Sequence, residues 1–217
     1  MNDTSEIHSE HPLFRELRNG LLWHCTSPEE YLQIQTCGFI KPNRNPVGTY
    51  GKQPSACQAL DGVPLFDFTT ESETRVLDTH HKWQQFLGCA RPLTVILGLN
   101  RSRLLGRIVS YPELRDTTSS LKCSGPIPWV EVCHCGEIPI SAIDCYLLVC
   151  AANYCRFKKL ETLDEADLDP AIIGCAEEAT TRSGELSDVQ KINQLPEFKA
   201  QMEQIRRQVE KMRRQTK

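Results

Sequence analysis

Runs and alternations of apolar residues predict that strands and helices interleave along the first 155 residues. Residues 21–25 form a short apolar run that predicts a buried strand, and a helical pattern follows it. Ser27 suits the N-cap of that helix, because its hydroxyl can accept from a free backbone N–H and Pro28 favours the first helical position. Gly38 supplies the stop, since glycine readily adopts the left-handed conformation that ends many helices.

The later apolar segments predict four more strands and two more helices. Residues 93–99 are nearly all apolar, as expected of a strand buried on both faces, and residues 129–135 alternate. Period-two geometry places Glu131 on one face together with three other side chains, Trp129, Cys133 and Cys135. The other predicted strands cover residues 63–68 and 143–149, and the predicted helices cover residues 12–18 and 71–87.

These elements predict an α+β fold with a mixed, split or sandwich-like β-sheet, flanking helices and a separate C-terminal helix. Four segments are expected: an N-terminal extension (1–20), an α+β domain (21–155), a polar connector (156–195) and a basic C-terminal helix (196–217). The last segment has an apolar stripe at helical spacing, and from Glu197 onward it holds seven Lys or Arg against three Glu. A solvated or packing arm, a short coiled-coil dimer and an anion-binding arm are the alternatives for this helix.

Composition narrows the class of protein. Apolar residues make up 40% and charged residues 24%, which is typical of a chain that buries a core. The net charge of -3 gives no general affinity for nucleic acid or anionic membranes. The apolar runs are far shorter than the roughly 20 residues of a membrane span, and the polar N-terminus does not look like a secretion signal. We therefore expect a cytoplasmic protein without membrane contact.

The eleven cysteines are scattered and lack the regular spacing of a secreted disulfide scaffold. In a reducing compartment we expect most of them to be free thiols that pack as small apolar groups. Residues 133–135 suggest a metal site, but the chain has no Cys-x-x-Cys pair, the spacing that structural zinc sites usually use. The sequence therefore predicts no metal.

Three residues are candidates for chemistry: His24 at the end of a predicted strand, Tyr50 in a glycine-rich loop, and Glu131 within a strand. Each also has a structural interpretation. His24 could be a hydrogen-bonded core residue, and Tyr50 could be part of a turn. Glu131 is the most informative, because a carboxylate is costly to bury without a partner. It could line a cleft, or it could pair with an arginine such as Arg91 or Arg107.

Two segments resemble the ADP-ribosyltransferases of the His-Tyr-Glu type, which include DNA-modifying bacterial toxins and poly-ADP-ribose polymerases. Residues 22–27, Leu-Trp-His-Cys-Thr-Ser, with the helix that ends at Gly38, are similar to the opening of those domains. Residues 130–132, Val-Glu-Val, with the turn at 136–139 and the strand after it, are similar to their last motif. The resemblance spans residues 21–149, and its specific content lies at the two ends.

The resemblance implies NAD as the substrate and a role for each matching residue. His24 would bind a ribose hydroxyl of NAD, and Thr26 would help to hold that edge of the site. Tyr50 would stack on nicotinamide, with Phe66 as the alternative aromatic. Glu131 would stabilise the ribosyl cation as nicotinamide leaves, because fixed negative charge favours the positive charge that develops on the sugar.

The acceptor of the ADP-ribosyl group, a protein or a nucleic acid, is not encoded in these motifs, and a homodimer could form through the C-terminal helix. Two alternatives stay open. An RNA 2′-phosphotransferase-like enzyme would need basic residues in its cleft, for which Lys52, Arg75 and Arg101 are candidates. A catalytically degenerate domain of the same fold would act as a binding or assembly module.

Overall fold

A computed structural model describes residues 11–44, 54–69, 93–121, 123, 125–150 and 153–182. Several predicted features lie outside these residues: the first ten residues, the loop with Tyr50, the helix at 71–87 and the C-terminal helix at 196–217. In the described part of the chain, no helix is long and apolar enough to cross a membrane.

The described residues form nine strands and five α-helices. The helices are α1 (Pro12–Leu17), α2 (Pro28–Cys37), α3 (Ala56–Ala59), α4 (Tyr111–Leu121) and α5 (Glu165–Arg182). The strands are β1 (Leu22–Thr26), β2 (Phe39–Ile40), β3 (Gly62–Phe66), β4 (Leu93–Leu99), β5 (Ile108–Val109), β6 (Glu131–Cys135), β7 (Ile138–Pro139), β8 (Ile143–Cys150) and β9 (Asn153–Leu160). The predicted α+β class is confirmed.

Seven strands build one sheet in the order β5-β6-β3-β1-β4-β8-β9, and β2 pairs with β7 in a small second sheet. Every strand pair among the described residues is antiparallel, so the sheet is not mixed in direction as the sequence suggested. β4 lies near the centre, and all seven of its residues are buried. This agrees with the prediction of a strand covered on both faces.

The two faces of the large sheet carry separate cores. One face holds Leu22, Leu65 and Val132, which pack with apolar residues of α2 and α5. The opposite face holds Trp23 and Phe66, which pack with the apolar side of α1. The alternation of Leu22 and Trp23 along β1 therefore fixes which face each later residue of that strand occupies.

Helix α2 begins and ends where its sequence predicts. The Ser27 hydroxyl accepts from the Glu30 N–H at 3.2 Å, and the Glu30 carboxylate accepts from the Ser27 N–H at 3.2 Å. This reciprocal capping box satisfies two backbone donors that a helix start leaves unpaired. At the other end Gly38 has φ +80°, a conformation that a residue with a Cβ adopts only at a cost. The capping box thus starts α2 directly after Thr26, the last residue of β1.

The domain boundary expected at residue 155 falls inside β9. That strand pairs with β8, and α5, which follows it, contributes Leu168 and Cys175 to the core. Much of the expected polar connector is therefore structured. The basic residues of β9 conceal the strand in the sequence, yet such residues are common on edge strands, where they discourage pairing with other chains. Helix α4, likewise, lies in a polar stretch for which the sequence predicted no element.

We expect truncation to show whether the folded body ends at residue 155 or includes all of β9 and α5. A chain ending after residue 155 loses half of β9 and all of α5, so core residues on β4 and β8 become exposed. A chain ending after Leu195 keeps both elements. Urea unfolding followed by circular dichroism should show a cooperative transition for the longer chain and none for the shorter. A cooperative transition in the shorter chain would contradict the role given to β9 and α5.

Candidate functional site

Strand β3, which lies between β1 and β6, brings the candidate residues near one another. Phe66 is in register with Trp23 of β1 on one side and with Glu131 of β6 on the other. Since neighbouring strands lie about 4.8 Å apart, the backbones of β1 and β6 are about 10 Å apart here. The strands that carry His24 and Glu131 therefore flank the same strand.

Beside His24 the ladder between β1 and β3, two neighbours in one sheet, is interrupted, and this interruption is termed the opening. β1 and β4 share five register pairs, whereas β1 and β3 share one, Trp23 with Phe66. Pro64 explains the difference, because proline has no N–H to donate to the ladder and is rare inside a sheet for that reason. Its carbonyl instead lies 3.0 Å from Nδ1 of His24. The opening thus lies at the candidate histidine.

The hydrogen bond of His24 fixes the chemistry of its ring. A carbonyl oxygen can only accept, so Nδ1 donates its proton to Pro64. Burial lowers the pKa of His24, which favours the neutral ring. In the neutral ring that carries its proton on Nδ1, Nε2 is an acceptor. The ring can therefore accept from a hydroxyl group of a ligand.

Glu131 is buried, with 7% of its surface exposed. Its Oε2 accepts from the Ile127 N–H at 2.7 Å, and its Oε1 accepts from the Cys57 thiol at 3.4 Å. Burial raises the pKa of Glu131, against the opposite effect of these two hydrogen bonds. The predicted arginine partner is not found in Arg107, which pairs with Glu113 at 3.0 Å; Arg91 lies outside the described residues.

His24 and Glu131 leave the sheet on different faces. Phe66 and Glu131 are register partners, so their side chains share the face of Trp23, and His24, the next residue, points to the other face. The hydrogen-bonded sheet therefore lies between the two side chains. The structure thus places the two residues near one another without placing them on one surface.

The remaining predicted site residues are held by the protein itself. The Thr26 hydroxyl donates to Glu30 at 3.2 Å, and Thr26 is 2% exposed. The Phe66 ring lies in the core with its centroid 6.4 Å from that of Phe68. Packing therefore covers the face on which nicotinamide would stack. Tyr50, the other candidate aromatic, lies outside the described residues.

The sequence did not indicate the turn that precedes Glu131. The backbone N–H of Glu131 donates to the Ile127 carbonyl at 3.2 Å, so the side chain and backbone of Glu131 together close the turn. Trp129 lies at its tip with φ +70°, unusual for a bulky residue, and is 38% exposed. Its ring centroid is 5.2 Å from that of Tyr111. Prolines at 126 and 128 are the only sequence signal for this turn.

Nine cysteines among the described residues are free thiols. Within this part of the chain, no group of three or more His, Cys, Asp or Glu side chains is arranged to hold a metal ion. Arg101, a candidate for the RNA 2′-phosphotransferase hypothesis, pairs with Asp67. Lys52 and Arg75 lie outside the described residues. No observation here favours that hypothesis.

The raised pKa of Glu131 predicts a specific dependence of stability on pH. Its ordinary value is 4.5, so above that pH the unfolded carboxyl loses its proton while the folded one keeps it. The free energy of unfolding therefore falls as pH rises, by up to about 1.4 kcal/mol per pH unit, until the folded group ionises as well. Urea unfolding of the wild type and of Glu131→Gln, at about four pH values between pH 4 and 7, measures this dependence of stability on pH. The wild type should lose stability relative to the variant with rising pH, and a difference independent of pH would contradict the shift.

No protein-family model, curated protein or solved structure matches this chain. Its function therefore has to be inferred from the geometry around β3 and from the resemblance of residues 22–27 and 130–139 to ADP-ribosyltransferases.

Proposed function

We propose that this chain transfers ADP-ribosyl groups from NAD, at a site in the opening between β1 and β3. The observation that carries the proposal is the placement of His24 at that opening, one strand away from the buried carboxyl of Glu131. The two motifs that resemble the enzyme family lie far apart in sequence, and both flank β3. The proposal rests on this nearness of the two strands, although the two side chains leave the sheet on opposite faces.

The chemistry of His24 suits the role that the resemblance implies. The neutral ring offers Nε2 as an acceptor, and a ribose hydroxyl of NAD is a donor of the right kind. The bond from Nδ1 to Pro64 holds the ring in one orientation, so little entropy is lost when the hydroxyl binds. His24 would thereby position NAD at the end of β1.

Glu131 would act on the developing ribosyl cation. When the bond to nicotinamide breaks, positive charge develops on the ribose, and a carboxylate in a dry environment stabilises it strongly. Burial raises the pKa of Glu131. The approach of a positive charge would lower this pKa and so favour the ionised carboxylate. The Ile127 N–H would hold Oε2 in place, and Oε1 would be available after the Cys57 thiol moves away.

The remaining parts of the proposal concern partners and place. NAD is the substrate, no metal takes part, and the acceptor is a protein or a nucleic acid. We place the activity in the cytoplasm, where free cysteines persist. The basic helix at 196–217 would serve as an appendage through which two copies associate.

A second candidate, a catalytically degenerate domain that acts as a binding or assembly module, is favoured by one observation. Both carboxylate oxygens of Glu131 are hydrogen-bonded within the protein, and 7% of the residue is exposed. On this hypothesis Glu131 is a structural brace for the turn at 127–131. Its loss would then affect folding and leave no activity to affect.

The decisive experiment compares Glu131→Gln with Glu137→Gln, an exposed carboxyl two residues after the end of β6. Glutamine keeps the shape of Glu131 and removes its charge. We expect wild-type protein to release nicotinamide from NAD, Glu131→Gln to release it about 10²-fold more slowly with similar NAD binding, and Glu137→Gln to match the wild type. Chromatography of the products measures release, and calorimetry measures binding.

The same variants also test the alternative. If the wild type neither binds nor consumes NAD, and Glu131→Gln lowers the free energy of unfolding by about 1–3 kcal/mol while Glu137→Gln does not, Glu131 is a structural brace. That result would overturn the enzymatic proposal and leave the binding module as the better account.

A further inference from the structure

A cleft lies between α5 and the large sheet, on the face that also carries α2. Its volume is about 430 Å³, within the range typical of sites for small ligands. The floor holds Leu93 of β4 and Leu148 of β8, which are both buried. Helix α5 contributes Ala166, Pro170 and Ala171, whose short side chains leave the space above this floor open.

Two cationic side chains of β9 lie at the mouth of the cleft, and both are exposed. Lys158 is the register partner of Leu148, so the two side chains share one face, and Arg156 lies on that face two residues earlier. Arg156 Nη1 donates to the Gly174 carbonyl at 3.4 Å, which holds the guanidinium against α5. Among the described residues, none forms an ion pair with Lys158. Its ammonium can therefore bind an anionic group at the mouth.

One acidic residue, Asp167 of α5, also lines the cleft. Its Oδ2 accepts from the Asp164 N–H at 3.1 Å, so this carboxylate is used to cap the start of α5. The charged lining thus consists of two cations and one carboxylate, which gives a net charge of +1. A ligand with a single negative charge complements this lining.

The floor and the mouth together define the shape of the ligand. Leu148 lies one strand away from Lys158, and Leu93 belongs to β4, two strands away from β9. Since neighbouring strands are about 4.8 Å apart, the apolar floor extends about 10 Å from the cations. An alkyl chain of about eight carbons, with C–C bonds of roughly 1.5 Å, covers this distance.

We infer that the cleft between α5 and β9 binds a medium-chain fatty acid as its free carboxylate. The carboxylate accepts hydrogen bonds from Lys158 and Arg156, and the alkyl chain covers Leu148 and Leu93. Each methylene that the cleft removes from water strengthens binding by about fourfold. An esterified acyl chain lacks the negative charge and loses the contacts at the mouth. The inference is independent of the proposed NAD chemistry, and its test contains no NAD.

The test titrates the full chain with octanoate and measures binding by calorimetry. Two further probes examine the two parts of the site separately. Butyrate keeps the carboxylate and lacks four methylenes, so it should bind more weakly than octanoate by about 30-fold or more. Methyl octanoate keeps the chain and lacks the charge, so it should bind about 10-fold more weakly.

NMR spectra of protein with labelled alanine methyl groups locate the ligand. Octanoate should shift the signals of Ala166 and Ala171, which line the cleft. It should leave the signal of Ala56 unchanged, because Ala56 lies on α3 in a different core cluster.

Two variants of β9 form a matched pair, Lys158→Gln and Lys159→Gln. They remove the same charge from adjacent positions, but Lys159 is the register partner of Leu147 on the opposite face and pairs with Glu16 at 2.5 Å. Lys158→Gln should weaken octanoate binding about fivefold, and Lys159→Gln should leave it unchanged. Both lysines are exposed, so both variants should keep the circular dichroism of the wild type.

Several results would overturn the inference. They are the absence of octanoate binding to the wild type, equal binding of octanoate and methyl octanoate, an equal loss of affinity in the two lysine variants, and unshifted signals of Ala166 and Ala171.

Discussion

The register of Phe66, paired with Trp23 on one side and with Glu131 on the other, fixes the position of every candidate residue. A shift of one residue in a strand would move its whole set of side chains to the opposite face. The apolar residues of β1, β3 and β6 prevent such a shift, because each face is buried in its own core. Packing therefore determines where the side chains of His24 and Glu131 point. A ligand would have to fit these fixed orientations.

Pro64 causes the opening between β1 and β3. A proline inside a sheet interrupts the ladder, and here the carbonyl that it leaves free is used by the ring of His24. The opening and the orientation of the histidine therefore have one cause. Substitution of Pro64 by a residue with an N–H could let the ladder between β1 and β3 extend, which would close the opening and release the ring. Pro64 is thus a more direct determinant of the site than any residue that would touch a ligand.

Local signals in the sequence were enough to predict α2 and β4. The capping residues of α2 act over three positions, and the apolar run of β4 needs no partner to be recognised. The basic side chains of β9 hid that strand, because edge position is a property of the sheet and not of the segment. Helix α4 gives little periodicity, because Leu114 alone among its described side chains lies in the buried cores.

The sequence indicated part of the candidate site. It could not indicate the contacts between residues that are distant in the chain. The sequence singled out His24 and Glu131 by residue type and by the strands around them. Their actual partners, Pro64 and Cys57, lie 40 and 74 positions away, and no pattern within a strand connects them. The face that each side chain occupies also depends on the register with β3. Such information belongs to the assembled sheet, so a single sequence could not supply it.

The two hydrogen bonds of Glu131 are unequal, and this inequality relates the brace to the proposed chemistry. The Ile127 N–H approaches Oε2 at 2.7 Å and is a strong backbone donor, whereas the Cys57 thiol approaches Oε1 at 3.4 Å and is a weak one. The carboxyl is thus anchored firmly to its own turn and covered loosely by α3. A ligand needs to displace only the weaker contact to reach Oε1.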